Sequence, residues 1–410
     1  MDVEIQINNS PSPNARFVTW APASCRIRIT NPAGAQGQGT PPIRISARTT
    51  TNSGALVFRR GTTGQFASTL MLQVPVNGNW VQFFTAGRFG RPSVNLDDVR
   101  IEARHGNGNK VVGSTPCTVR IRKNANNLTP GERDRFVAAF AQLNNQGLGR
   151  FTDFRDMHTN VSSPQAHGRP GFLPWHRAYL LDLERELQAI DPSVALHYWR
   201  FDRPSPNIFT REFLGVSDAI GTVEFSATNP LQFWVTDGVQ GINRRPFFST
   251  NSAPPGLRTE AQTIALGTTY PNFRTLEGNP HGSAHTSFGG SISSINTAAR
   301  DPLFFLLHCN VDRLWAKWQH QNNRFNPATA ASYDSTPPSP IGHNLPDTMW
   351  PWNGITGPPR PPTAPGGTLA SSPCVNAPGL SPRVRDSLDF QGRISATACM
   401  GFDYDDVPFS

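Results

Sequence analysis

Histidine placement is the feature of this sequence that most directly indicates chemistry. Seven of the ten histidines lie between positions 158 and 308, and six of these form two groups of three: His158, His167 and His176, followed by His281, His285 and His308. One histidine on an apolar face is more often a satisfied core residue than a ligand, but here that interpretation would have to hold six times. Two groups of three imidazoles therefore indicate two metal sites.

The type of ligand narrows the choice of metal. Imidazoles without cysteine or carboxylate favour copper, zinc or nickel over calcium or magnesium. A hydrolytic zinc helix would carry a glutamate directly after its first histidine, whereas Gly282 follows His281. We therefore predict two copper ions that share dioxygen, each supplying one electron.

The segment between two of these histidines has a composition that restricts its backbone. In HGRPGFLPWHR, residues 167–177, Pro170 and Pro174 each fix one dihedral angle, and three large apolar side chains are available for packing. A flexible surface loop would not have this composition. The geometry of the two imidazoles that the segment connects is therefore expected to matter.

Helical patterns surround the histidines. A capping box at Thr129 opens one helix, and His176 lies in the first turn of a second, strongly amphipathic one. A third helix begins at Asp301 and carries His308. Long stretches rich in glycine, proline and asparagine separate these helices, so residues 124–410 are expected to form a helical bundle with long loops.

Residues 1–123 have a different pattern. Apolar and polar residues alternate in several short stretches such as CRIRIT and CTVRIRK, with turn-rich stretches between them. The pair Asn77-Gly78 is typical of a hairpin turn. We expect an all-β, sandwich-like domain that contributes no metal ligand and whose role the sequence leaves open.

Composition and charge limit the class of protein, its location and its expected partners. The 410 residues are 37% hydrophobic and 16% charged, which suits a soluble multidomain protein, and no apolar run is long enough to span a membrane. The N-terminus lacks the basic start and apolar core of a secretory signal, so a cytoplasmic location is the default expectation. Although the net charge is +8, the arginines are scattered and lysines are few, so nucleic acid is not an expected partner.

The five cysteines cannot all be paired. Cys25 and Cys117 are in phase with inward-pointing residues of predicted strands, and Cys374 and Cys399 are a second possible pair. Both disulfides and buried free thiols are compatible with this pattern.

Two long, gapless stretches resemble the copper motifs of the tyrosinase family of type-3 copper proteins, which includes catechol oxidases and molluscan haemocyanins. The stretches are HGRPGFLPWHRAYLLDLE and DPLFFLLHCNVD. LEGNPHGSAHTSFGG, GHNLPDTMWPWN and the C-terminal VRDSLDF and MGFDYDDVP are also similar to family segments. The resemblance covers residues 128–410 and implies a mainly α-helical domain, a four-helix bundle around a dicopper site.

The resemblance also implies roles for individual residues. The first copper would be bound by His158, His167 and His176, and the second by His281, His285 and His308. Glu277 would hold a water and help to deprotonate a phenol, the alternative being an acid at a helix start. Asp312 would orient a ligand imidazole, the alternative being a salt bridge to Arg313 or another arginine. Gly282 and Thr286 would tune the choice of substrate.

The sequence departs from the family pattern at several positions. Leu307 stands where many members have a second histidine, and His197 and Arg200 replace the usual proline and aspartate around a Tyr-Trp pair. Tyr404 falls where the family has a tyrosine motif that closes the core, and the chain ends soon afterwards.

The activity that the resemblance implies is oxidation of o-diphenols to o-quinones, with a phenolic small molecule and dioxygen as partners. Monophenol hydroxylation is expected to be weak, because Gly282 offers no side chain to help hold the water that accepts a phenolic proton; glycine there for tight helix packing is the alternative. Two other functions stay open: a biosynthetic oxidase of o-aminophenols or peptide-tethered phenols, and haemocyanin-like oxygen binding.

Overall fold

Alternating apolar residues build two β-sheets near the N-terminus. In chain order the strands are β1 (Asp2–Ile7), β2 (Phe17–Val18), β3 (Ala23–Asn31), β4 (Pro42–Arg48), β5 (Leu56–Arg59), β6 (Thr69–Gln73), β7 (Val81–Gly87), β8 (Val99–His105) and β9 (Val111–Val119). One sheet has the order β1-β3-β7-β5 and the other β2-β9-β8-β4-β6, and only β2 and β9 run parallel. Ile27 and Ile101, from the two sheets, belong to one buried apolar cluster, so the sheets share a core. The prediction of a β-rich N-terminal region is confirmed.

The turn at Asn77-Gly78 forms, but it does not make a hairpin. Gly78 has a φ of +82°, and the Asn77 side chain accepts a hydrogen bond from the amide of Asn79 at 3.0 Å. The flanking strands β6 and β7 belong to different sheets. The hairpin prediction was wrong because local turn chemistry does not specify which strands pair.

The computed structural model describes residues 1–35, 37, 39–334 and 339–409, which divide into two units. The first comprises Met1–Ile121, Ser372–Asn376 and Cys399–Ser410, and the second Arg122–Ser371 and Ala377–Ala398. The division differs from 1–123 and 124–410 mainly at the C-terminus, whose last residues belong to the β unit. There the Trp20 indole donates to the carbonyl of Tyr404 at 2.8 Å, and the Ala21 amide donates to the Asp403 carboxylate at 3.1 Å. Tyr404 is therefore buried in the first unit.

The second unit is mainly helical. Its helices are α1 (Pro130–Asn144), α2 (Phe151–Met157), α3 (Ser163–Ala166), α4 (Phe172–Ile190), α5 (Glu260–Ile264), α6 (Tyr270–Phe273), α7 (Ser283–Thr286) and α8 (Leu303–Asn322). The capping box at Thr129 forms with Glu132 as predicted, and the Asp301 carboxylate accepts from the amide of Leu303 at 2.9 Å. These two contacts fix the starts of α1 and α8.

Irregular chain occupies most of the remaining length of the second unit. The short strands in it pair two by two: Val216–Ser217 with Val223–Glu224, Val235–Thr236 with Val239–Gln240, and Arg244–Pro246 with Phe288–Gly290. The described part of the region 325–382 contains one short 3₁₀ turn, Ala330–Ser332; residues 335–338 lie outside the described residues.

Aromatic rings fill the core between the helices. Phe140, Phe151 and Phe305 contact one another with centroids 5.7–6.2 Å apart, and Trp234 packs against Phe151 at 4.6 Å. These contacts join α1, α2 and α8, which gives the metal-binding candidates a rigid support.

The structure bears on two further expectations, the state of the cysteines and the lack of a membrane-spanning segment. Cys25 and Cys117 are fully buried free thiols, so the inward phase of these two was correct. Among the described residues, no helix combines the length and apolar character that a membrane crossing requires.

Candidate metal centre

The two long helices of the second unit bring one histidine from each group into contact. His176 lies on α4 and His308 on α8, and their rings stack with centroids 4.2 Å apart and planes 9° from parallel. Both residues are almost fully buried. The packing of α4 against α8 thus places the two histidine groups side by side.

The other four histidines lie at the ends of shorter elements. His158 directly follows α2, His167 directly follows α3, His281 lies in a π-helical turn over Gly278–Gly282, and His285 lies on α7. The helical face that His281 and His285 share exists over this turn and the short helix only. The four-residue spacing of the two histidines is given by the sequence, but it did not predict the irregular backbone around them.

The six rings converge closely. The Nε2 atom of His308 lies 3.2 Å from that of His281 and 3.1 Å from that of His285. The Nε2 atoms of His158 and His167 are 3.3 Å apart. One nitrogen from each of His158, His176 and His308 also lies within 4.8 Å of the others, so His308 stands at the junction of the two predicted groups.

Backbone carbonyls orient three of the imidazoles. The Nδ1 atoms of His176, His281 and His285 contact the carbonyl oxygens of Phe172, Glu277 and Ile292 at 2.9, 2.7 and 2.7 Å. Because a carbonyl only accepts, each Nδ1 carries the proton and each Nε2 presents a lone pair. That is the tautomer a metal ligand needs.

Burial keeps all six imidazoles neutral. It lowers the pKa of His158 to about 3, that of His167 to about 2 and that of His285 to about 4, and neighbouring imidazoles contribute to the first two. The other three have pKa values well below the ordinary one for the same reasons. Neutral imidazole is the form that binds metal.

The arrangement fits metal ions better than it fits hydrogen bonding. An imidazole nitrogen lies about 2 Å from a bound metal, so nitrogens about 3.3 Å apart suit a shared tetrahedral ion. Among the described residues, the buried Nε2 atom of His176 has no hydrogen-bond partner. A buried unpaired acceptor is unfavourable unless something binds it, and a cation does so for several converging lone pairs at once.

Two phenylalanines separate the imidazoles from the surrounding core. The ring of Phe304 lies 4.2 Å from that of His308 and 4.6 Å from that of His158. The ring of Phe172 lies 4.7 Å from that of His176 and 4.9 Å from that of His281. Both phenylalanines stand inside the copper-motif stretches, but their spacing alone gave no reason to single them out.

Glu277, Gly282 and Thr286 lie close to His281 and His285 in the chain and are partly buried or exposed. The Glu277 carboxylate accepts a hydrogen bond from the amide of Gly168 at 2.6 Å, and burial raises its pKa to about 7. Gly282 has room for a side chain, since an added Cβ would meet only the Glu277 carbonyl oxygen, at 3.4 Å. The Thr286 hydroxyl donates to the Gly282 carbonyl at 3.0 Å on an exposed surface.

Asp312 takes part in a buried ion-pair network. Its carboxylate accepts from Arg177 Nε at 2.6 Å and from Arg122 Nη1 at 3.2 Å, and Arg122 also pairs with Glu184 at 2.7 Å. All four side chains are 0–2% exposed. These bonds are the salt-bridge alternative for Asp312, with Arg177 and Arg122 as partners. The network joins α4 to α8, and sequence spacing could not reveal it.

Known proteins that are similar to this chain indicate the family to which it belongs. Residues 148–321 match the model of the common central domain of tyrosinase. The tyrosinase of Streptomyces glaucescens is 34% identical over 269 residues, which cover 57% of this chain and 92% of that protein. The chain belongs to the tyrosinase family. It is thereby a copper oxidoreductase of the type-3 class with two copper ions as cofactor, which confirms the resemblance and the predicted metal.

Other proteins that are similar to this chain have different names. Grixazone synthase of Streptomyces griseus is 30% identical over 262 residues, 49% of this chain and 84% of that protein. Hemocyanin 2 of Megathura crenulata is 28% identical over 226 residues, 48% of this chain and 6% of that protein. Family membership therefore leaves the reaction to be inferred from the site.

Proposed function

We propose that this protein oxidises o-diphenols to o-quinones with dioxygen. The observation that carries the proposal is the convergence of six neutral imidazoles in one centre, with the Glu277 carboxylate held by the amide of the residue after His167. In this proposal His158, His167 and His176 hold one copper, and His281, His285 and His308 hold the other. We further propose that α2, α4, α7 and α8 form a four-helix bundle around these ligands.

The protein's own contribution is to position ligands, exclude water and hold a proton. When bound, the two coppers supply dioxygen binding and electron transfer, so that two catechols lose four electrons and four protons and one dioxygen becomes two waters. Phe172 and Phe304 keep the imidazoles in an apolar environment. The Nδ1 contacts to backbone carbonyls keep the imidazoles of His176, His281 and His285 in the metal-binding tautomer.

Glu277 is the group proposed to receive the phenolic proton. Its carboxylate is fixed by the amide of Gly168, the residue after His167, so it lies beside the first group while its own backbone carbonyl orients His281. A carboxylate with a pKa near neutrality is a suitable proton acceptor. This contact to a different segment supports the catalytic interpretation over a simple acid at a helix start.

Gly282 and Thr286 support a preference for diphenols over monophenols. Gly282 offers no hydrogen bond to a water next to Glu277, although the space for a side chain is there. Catechols are more acidic than monophenols and can bind through two oxygens, so they depend less on that water. We therefore assign strong diphenol oxidation and weak monophenol hydroxylation to this site.

Two other candidates come from the relatives. The similarity to grixazone synthase supports a biosynthetic oxidase, for which o-aminophenols are the test substrates, and the similarity to hemocyanin 2 supports oxygen binding without turnover. Both would use the same six histidines, so the metal centre alone does not separate them.

Oxygen consumption by the copper-loaded protein tests the proposal. Catechol, tyramine and o-aminophenol are supplied in turn at equal concentration. We expect sustained uptake with catechol and slow uptake with tyramine. Faster turnover of o-aminophenol than of catechol would favour the biosynthetic oxidase, and binding of oxygen without sustained uptake would contradict the enzyme.

A further inference from the structure

In the described part of the chain His167, like His158 and His308, lacks the Nδ1 contact to a carbonyl that orients His176, His281 and His285. It lies in extended backbone, φ −136° and ψ 161°, between α3 and α4. Its Nδ1 atom is buried and has no hydrogen-bond partner among the described residues, whereas His176, His281 and His285 each use Nδ1 to contact a carbonyl. The direction of its imidazole therefore depends on the backbone on either side of it.

A distant histidine, His343, ties that backbone together. Its Nδ1 accepts a hydrogen bond from the amide of Gly171 at 3.2 Å, and its Nε2 donates to the carbonyl of Pro164 at 2.8 Å. These two groups lie three residues before and four residues after His167. A single imidazole thus spans the segment 164–171.

The bridge requires one particular form of the His343 ring. Because an amide N–H only donates and a carbonyl only accepts, Nδ1 must be bare and Nε2 must carry the proton. The residue is 1% exposed, and burial lowers its pKa, which favours the neutral ring. By comparison, the rings of His176, His281 and His285 each contact a backbone carbonyl through Nδ1.

Glycine at position 171 makes the close approach possible. A Cβ added to Gly171 would lie 2.5 Å from His343 Nδ1, so any larger residue would displace the imidazole. The backbone there has φ −68° and ψ −7°, which alanine adopts freely. A substitution at Gly171 therefore disturbs the bridge without straining its own backbone.

Further contacts hold the two segments against each other. The Gln165 side chain donates to the carbonyl of Ile341 at 2.8 Å, and the Tyr333 hydroxyl donates to the carbonyl of His343 at 2.8 Å. His343 is consequently fixed in its own position and cannot simply follow the segment 164–171 if that segment moves.

We propose that His343 is a positioning residue for the first copper, acting by bridging the backbone around His167. The inference rests on the proposed function, because it takes His167 as a copper ligand. A partner that orients a ligand typically changes metal affinity by about 10- to 100-fold when it is removed. The loss of the bridge should fall on the first copper and leave the second unchanged.

Copper titration of the metal-free full-length protein, in competition with a chromophoric chelator, tests this role. His343→Phe should weaken one of the two binding steps by about 10- to 100-fold. Two single-site backgrounds identify the step: in His281→Ala, which keeps the first site, adding His343→Phe should weaken the remaining copper. In His158→Ala, which keeps the second site, it should have no effect.

Partial variants distinguish positioning from general support. His343→Asn keeps an acceptor toward Gly171 and His343→Gln keeps a donor toward Pro164, so each should recover part of the affinity that His343→Phe loses. Gly171→Ala should reproduce the loss, and combining it with His343→Phe should add little, since both break one bridge. His197→Phe is the matched control: this buried histidine also accepts from a backbone amide at 3.2 Å, that of Lys123, and its loss should lower stability without selecting one copper.

The possible failures separate the two claims. A wild type that binds two coppers, with His343→Phe binding both as tightly, would overturn the role of His343 alone. Equal weakening of both sites, as a general loss of structure would produce, would overturn it as well. A wild type that binds fewer than two coppers would overturn the proposed function and with it this inference.

Discussion

The ligand histidines are positioned in two different ways. His281 and His285 contact carbonyls four and seven residues away in the chain, and His308 lies within a long helix. His167 depends on a bridge from His343, 176 positions later in the sequence. His176 of the first group is also held locally, by the carbonyl of Phe172 four residues earlier, so the dependence on a distant segment belongs to His167. Local contacts make a site visible in the sequence, and distant contacts make it sensitive to parts of the chain that carry no ligand.

His308 is where the two groups meet, and its removal should have the largest effect. In His308→Ala we expect one copper per chain and a loss of catechol oxidation of about a thousandfold or more, because both metals are needed for dioxygen reduction. Metal analysis and oxygen uptake on the same sample measure this. Cys309→Ala, the next residue on the same helix, should keep both coppers. Two coppers in His308→Ala would show that the histidines were assigned wrongly.

Asp312 joins the elements that carry the two groups. In Asp312→Asn the buried guanidinium groups of Arg177 and Arg122 lose their shared carboxylate, which should lower the free energy of unfolding by about 3–5 kcal/mol. Denaturant unfolding gives the value. Asp134→Asn, an exposed carboxylate paired with Arg133, should change it by less than about 1 kcal/mol. A small effect at Asp312 would mean that the helices do not depend on this network.

Glu277 is proposed to accept a proton and is not proposed to bind copper, so its loss should affect turnover and not metal content. Glu277→Gln keeps an oxygen for the amide of Gly168 but removes the proton acceptor, and we expect kcat for catechol to fall by about 100-fold with two coppers retained. Steady-state kinetics and metal analysis check both parts. Glu224→Gln, at a half-exposed position far along the chain, serves as the control. An unchanged kcat would show that Glu277 has a structural role and is not the proton acceptor.

Gly282 should have the smallest effect. An asparagine there would have space and an allowed backbone, φ −59° and ψ −37°, so Gly282→Asn should raise tyramine hydroxylation a few-fold relative to dopamine oxidation. Gly282→Ala adds the Cβ without a hydrogen-bonding group and separates this from the packing alternative. Initial rates on the two substrates decide. A wild type that hydroxylates tyramine as fast as it oxidises dopamine would contradict the expectation.

The same contrast explains what the sequence could predict. The structure contains the local patterns that the sequence shows. These are the capping at Thr129 and Asp301, the alternation in the strands and the histidine spacing. The π-helical turn at His281 and the β6–β7 connection between sheets were missed, because they depend on packing partners elsewhere in the chain. The pairing of Asp312 with Arg177 and Arg122 could be foreseen only as one alternative, since spacing does not say which arginine comes near.

The C-terminal residues give a further example. Family resemblance placed Tyr404 with the metal-binding part, but its carbonyl accepts from Trp20, more than 380 positions earlier, inside the β unit. A motif shared with a family identifies a position in the sequence. It does not determine which unit a terminal segment packs into. The position of such a segment has to be read from its buried contacts.

Catalytic activity as a function of copper added to the metal-free protein tests the central claim most directly. If two groups of three histidines each hold one copper and both are needed, oxygen uptake with catechol should rise with upward curvature and level off at two equivalents per chain. Uptake that levels off at one equivalent, or no sustained uptake at two, would contradict the account.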